Sequence, residues 1–161
     1  MEHLKEYLPQ WIGSNSIAIL FLVAAFLKPK LARLLFVLLF TWACWINYST
    51  AHNNPTDYLN YASLSPFDFM RNFINGWFRE HVTLMVTFIS VGQGLIALGM
   101  LLKGWWVRLA CIGAIIFLIA ITTLGIGSGF PSSVIAAFTA YIILKKDNLD
   151  YLWHFRTQIS S

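Results

Sequence analysis

Five apolar runs, separated by short polar breaks, organise the chain. The first is Trp11–Leu27. Its start is soft, with Gly13, Ser14, Asn15 and Ser16, and only Ile17–Leu27 is fully apolar. Lys28, Pro29 and Lys30 break it. Leu31–Tyr48 follows, with Arg33 at its beginning, and Val82–Leu102 is third. The turn "KGWWVR" leads into Trp105–Leu124, "GIGSGFPSS" interrupts, and Pro131–Leu144 closes at Lys145 and Lys146. Runs of this kind approach the roughly 20 residues that cross a bilayer as a helix. The fully apolar part of the first, about 11 residues, suits a partial or re-entrant segment as well as a crossing. If it does not cross, the N-terminus changes sides and the rest stays put. The pattern predicts an all-α integral membrane fold, a bundle of four to five transmembrane helices. No internal repeat or low-complexity linker divides it, so residues 1–161 form a single domain.

The long connection Ser49–His81 contains a different pattern, "SPFDFMRNFINGWFREH", from Ser65 to His81. Ser65 is a good N-cap, Pro66 suits the first helical position, and Asp68 suits the positive end of the helix dipole. Met70, Phe73, Ile74, Trp77 and Phe78 then fall on one helical face, with Arg71, Asn72, Asn75 and Arg79 on the other. That predicts one interfacial amphipathic helix on the outer side, anchored by Trp77.

Composition agrees with a membrane class. Charged residues make up 11% of the chain, against about a quarter in soluble domains. The net charge of +4 is no nucleic-acid signal, because the basic residues sit at helix ends rather than in one stripe. Lys28, Lys30, Arg33, Lys103, Arg108, Lys145, Lys146 and Arg156 fall on one side if every run crosses. Lys5, Arg71 and Arg79 fall on the other. The positive-inside rule makes the first side cytoplasmic, with the C-terminus there. The start "MEHLKEYLPQW" does not read as a signal peptide.

Candidate chemistry is sparse. Gly92 and Gly99 share a face of the third run, with Gly94 and Ala97 nearby, as close helix packing needs. Pro131–Leu144 is only about 21 Å long at 1.5 Å per residue, against roughly 30 Å of hydrocarbon. Its outer end therefore starts below the surface, with backbone amides and Ser132 or Ser133 facing outward. An outer pocket follows as an expectation, walled by Trp45, His81, Ser132 and Ser133 and covered by the interfacial helix. A quinone head or a lipid carbonyl is the kind of group it would hold. His52, Asp57, Asp68, Glu80 and His81 match no metal spacing, and solvated positions or salt bridges to Arg71 and Arg79 suit them better. Trp42 and Trp45 belong to an aromatic belt, with Asn47 and Tyr48 close by. Cys44 and Cys111 lie at different depths, which argues against a disulfide. No ionisable residue lies in the middle of a run, which argues against ion-coupled transport.

The layout resembles the DoxX-like family of small four-helix bacterial membrane proteins. "NYASLSPFDFMRNFINGW" before a crossing, "GQGLIALGMLLKGWWVRLA" and "GIGSGFPSS" before the last helix carry the resemblance, over about residues 31–144. The run 11–27 is an addition to it. The resemblance implies a multi-pass protein of the bacterial inner membrane, associated with redox enzymes and often one subunit of a complex. It maps no catalytic residue onto this chain. The expected function is an accessory or structural membrane subunit of a larger respiratory or redox complex, with membrane lipids and other membrane-protein subunits as partners and no nucleic acid. The alternative is a small quinone- or lipid-binding oxidoreductase component.

Overall fold

The computed structural model describes the backbone of residues 2–153 and the side chains of residues 8–153. Arg156 lies outside the described residues, as does the side chain of Lys5. Among the described residues the α-helices are α1 (Glu2–Leu27), α2 (Pro29–Asn53), α3 (Tyr61–Leu64), α4 (Asp68–Phe73), α5 (Val82–Leu101), α6 (Trp105–Ile121) and α7 (Ser132–Lys146). Short 3-10 segments cover Pro55–Asn60 and Thr122–Ser128. Apolar surroundings leave the backbone no partner but itself, and a helix satisfies every interior N–H and C=O internally. Among the described residues, four helical stretches are long and apolar enough to cross a membrane: Leu8–Leu27, Pro29–Asn53, Val82–Leu101 and Trp105–Ser128.

The first run is a full-length helix of the bundle. Near its start, Trp11 Nε1 donates to the carbonyl of Phe130, and Asn15 Nδ2 donates to that of Gly129, beside the start of α7. Near its end, Lys146 Nζ donates to the Phe26 carbonyl 3.0 Å away, beside the end of α7. α1 and α7 thus run side by side in one direction. α2 and α5 form the antiparallel pair, linked by Thr83 Oγ1 to the Ala51 carbonyl at 3.0 Å. α6 and α7 complete the bundle. Phe21, Phe36, Phe40 and Phe117 meet in series in its core, with ring centroids 5.6–6.0 Å apart. Lys28, Lys30, Lys103, Lys145 and Lys146 collect at one end, the basic end; the segment Pro55–Phe78 and the glycine-rich loop occupy the far end.

The basic end is clamped by a charge that the sequence places at a helix terminus, as if solvated. Arg33 is 0% exposed and pairs at 2.9 Å with Asp147, whose side chain is 1% exposed. Its Nε and Nη2 donate to the carbonyls of Met100 and Leu102, both at 2.6 Å. Those carbonyls belong to the last turn of α5, which has no helical partners for them and carries the negative end of the helix dipole. One guanidinium therefore joins α2, α5 and the end of α7.

The far end is built by close backbone approach. Gly125 has φ +63° and ψ −126°, and a Cβ there would lie 2.7 Å from Pro66 Cδ and 3.0 Å from the Leu64 carbonyl. A Cβ on Gly127 would run into the Tyr61 ring. Ser65 Oγ donates to the Thr123 carbonyl at 2.8 Å. On α5, Gly99 gives close packing, because a Cβ would meet that of Ala110 at 2.8 Å. Gly92 differs from its expected packing role, with nothing within 4 Å of its Cβ position.

The single interfacial helix expected from Ser65 to His81 is broken. α4 ends at Phe73, and Ile74–Phe78 forms a wide π-type turn kinked at Gly76, where ψ is −113°. The wider turn shifts the register. Ile74 and Phe78 are buried, whereas Trp77 is 52% exposed and lies between the Phe73 and His81 rings. Trp77 therefore does not pack into the bundle, and of the two surroundings expected for its face, bundle or lipid, only lipid is left for it to anchor in. Arg71 pairs with Asp68, as suited that stretch of sequence.

Removing Arg33 leaves Asp147 buried and unpaired. Arg33→Ala should lower unfolding free energy in detergent by about 3–5 kcal/mol, and Arg33→Met with Asp147→Leu should recover part of it. An unchanged melting temperature in Arg33→Ala would show that the pair is not buried. Gly125→Ala should cost about 1–3 kcal/mol through its backbone conformation alone. Gly92→Ala should be neutral or stabilise by up to about 1 kcal/mol. Thermal melts of the two variants side by side check the contrast, and equal effects would refute it.

Candidate functional site

A chamber of about 580 Å³ opens in the far half of the bundle. That size falls within the usual range for small-molecule sites. Its walls follow from helical spacing. Leu39, Phe40, Ala43 and Asn47 recur at three- and four-residue steps on α2 and face it. Met85, Val86, Ile89 and Gln93 do the same on α5, and Phe117, Leu118 and Ile121 on α6. Phe40 and Phe117, in contact with each other, form the floor. The roof is the folded-back segment, with Tyr58, Tyr61, Ile74 and Phe78, joined by Leu124 and Gly127 of the loop. Trp42 and Phe73 also line the chamber and are exposed on the bundle surface, so it opens sideways.

Three polar side chains of this apolar wall are hydrogen-bonded in series. Tyr58 Oη donates to Asn47 Oδ1 at 2.9 Å, with the Asn47 carbonyl 3.2 Å away. Asn47 Nδ2 donates to Gln93 Oε1 at 2.9 Å. Gln93 is 3% exposed. Burial pushes the Tyr58 phenol up to about 12, with Tyr61 and Asp57 adding to the rise and a hydrogen bond with Thr50 opposing it. The hydroxyls of Thr123 and Ser128 donate to the carbonyls of Ala120 and Gly125. No Asp, Glu, Lys, Arg or His is among the lining residues.

The four residues expected to share an outer pocket do not meet. Trp45 is 70% exposed, because it sits half a turn round α2 from Ala43 and Asn47. Ser132 and Ser133 are buried in the helix packing, and Ser133 Oγ lies 3.1 Å from Thr122 Oγ1. His81 lies within hydrogen-bond distance of the Trp77 carbonyl through Nδ1, 2.8 Å. It lines a second, smaller cavity of about 350 Å³ with Pro55, Arg79 and Glu80. None of the four lines the larger chamber. The residues that do make its polar line, Asn47, Gln93 and Tyr58, carry a signal of their own. Asn47 and Gln93 are amides inside apolar runs, and such groups in a membrane helix need a partner on a neighbouring helix. Cys44 and Cys111 are both free. Among the described residues, no three His, Cys, Asp or Glu lie together as a metal set.

No protein-family profile, curated protein or solved structure matches the chain.

Because the folded form holds the Tyr58 proton more tightly, stability from the neutral phenol is complete below pH 10. It is lost as pH rises from there through about 12. The difference between tyrosinate titrations of the native protein and Tyr58→Phe should show one phenol with a pKa of about 12. A difference curve centred at the ordinary tyrosine value would mean that Tyr58 does not stand in the chamber.

Proposed function

We propose that this membrane bundle is a small binding component for a lipid- or quinone-like molecule, held in the chamber at its far end. The observation that carries this reading is the chamber itself, apolar on most of its surface, lined by one polar series, and open sideways between Trp42 and Phe73. Empty apolar space forfeits the dispersion contacts of every atom that lines it. An apolar molecule entering from the bilayer restores them without having to cross water.

The wider setting is a proposal of the same kind. The interfacial segment after α2 and the glycine-rich loop before α7 support kinship with DoxX-like proteins, and through it a place in a respiratory or redox assembly. The cluster of lysines at one end supports an inner-membrane orientation with that end, and the C-terminus, in the cytoplasm. An accessory subunit of such an assembly would use the exposed rim of Trp42 and Phe73 as a contact for a neighbouring chain.

Native mass spectrometry of the full chain, purified in mild detergent, tests the binding reading. A co-purifying lipid or quinone at a stoichiometric level is expected. Ala43 faces the chamber, so Ala43→Phe should fill part of it and lower occupancy roughly tenfold without lowering the melting temperature. A chain that carries partner subunits but no small molecule would sink the binding reading in favour of the accessory one.

A further inference from the structure

The polar line in the chamber has a direction. Tyr58 has a single hydroxyl proton and gives it to Asn47. Asn47 gives an amide proton to the oxygen of Gln93. Each link occupies the acceptor of the next, so the line ends in donors, on Gln93 Nε2. Among the described residues that nitrogen has no hydrogen-bond partner, and Gln93, a residue of low overall exposure, lines the chamber. Among the described residues the buried side-chain atom left without a partner is Asn15 Oδ1; Gln93 Nε2 is instead open to the chamber, where a donor facing apolar walls gains from an acceptor on whatever fills the space. The hydroxyls of two further lining residues, Thr123 and Ser128, are spent on backbone carbonyls. The lining offers no cation to hold a carboxylate or phosphate and no carboxylate to hold an amine.

Building on the chamber as a binding site, we infer that Gln93 selects its occupant by donating to a neutral carbonyl oxygen on an apolar body, and that the chamber rejects charged heads. Gln93 stands eleven residues after Val82, about 16 Å along α5 at 1.5 Å per residue. The carbonyl therefore sits deep, with the apolar body against Phe40, Phe117 and Ile89. Two sources have this chemistry, the ester of a membrane lipid and the ring carbonyl of a free quinone-type compound.

The test is equilibrium binding to the full chain in detergent, with three probes of equal chain length: a methyl ketone, an alkane and a fatty-acid anion. The ketone should bind about tenfold more tightly than the alkane, the worth of one hydrogen bond, and the anion most weakly. In Gln93→Leu, ketone affinity should fall to that of the alkane while alkane affinity holds. Gln93→Met, closer in length to the native side chain, should do the same and guards against a folding defect in the first variant. Equal binding of ketone and alkane by the native protein, or a ketone preference that survives both substitutions, overturns the selection by Gln93 and leaves the chamber as a binding site. Failure of every probe to bind overturns the site as well. The source is read in bilayers of diester and diether lipids, using a ring ketone. Tighter binding in the diether bilayer marks a lipid ester as the native occupant, and equal binding marks a free carbonyl compound. Either supports the carbonyl chemistry.

Discussion

The far end of the bundle depends on how closely two irregular segments approach each other. Gly125 and Gly127 lie so near Pro66, Leu64 and Tyr61 that neither has room for a methyl group. Ser65 adds one hydrogen bond to the Thr123 carbonyl across the same contact. The folded-back segment has a small core of its own, where Ala51, Ala62, Ile74, Phe78, Val82 and Val86 meet. Held down by the glycine loop, it spans a gap between helices instead of filling it. Tyr58 and Phe78 come to rest above Phe40 and Phe117 as the roof of the chamber. A bulkier loop would push the roof away.

The basic end is arranged on the opposite principle. Arg33 fills its space, neutralises Asp147 and satisfies two carbonyls at the end of α5. A paired and fully hydrogen-bonded charge can be buried, whereas an unpaired one cannot. The helices are thus pinned where α2, α5 and α7 come together, and the chamber opens at the other end. That asymmetry leaves the chamber between long helices clamped at one end, under a roof made of short elements.

The sequence carries some of this plainly. The apolar runs locate α2, α5 and α6, and the glycine-rich break locates the loop before α7, because hydropathy and glycine content are local properties. The soft polar start of α1 hides a full-length helix, since Asn15 is placed by a hydrogen bond to the distant Gly129. The turn at Gly76 is also hidden. Five apolar residues at helical spacing imply an unbroken helix, and one widened turn is enough to move Trp77 off the buried face. Arg33 looks like any positive charge at a helix start until Asp147 is brought beside it from the far side of the sequence. Asn47 and Gln93 are averaged away inside hydrophobic windows, and only the antiparallel pairing of α2 and α5 brings the two amides together. The expected outer pocket rests on residues conspicuous in the sequence, Trp45, His81, Ser132 and Ser133. The chamber is lined instead by residues that share helix faces.

We propose that a neutral, carbonyl-bearing apolar molecule fills the chamber beneath the folded-back segment. A density map of the full chain in lipid nanodiscs tests it most directly. Elongated non-protein density is expected between α2, α5 and α6, ending at hydrogen-bond distance, about 3 Å, from Gln93 Nε2. Side chains collapsed into the space, or discrete water alone along the line from Tyr58 to Gln93, would contradict it.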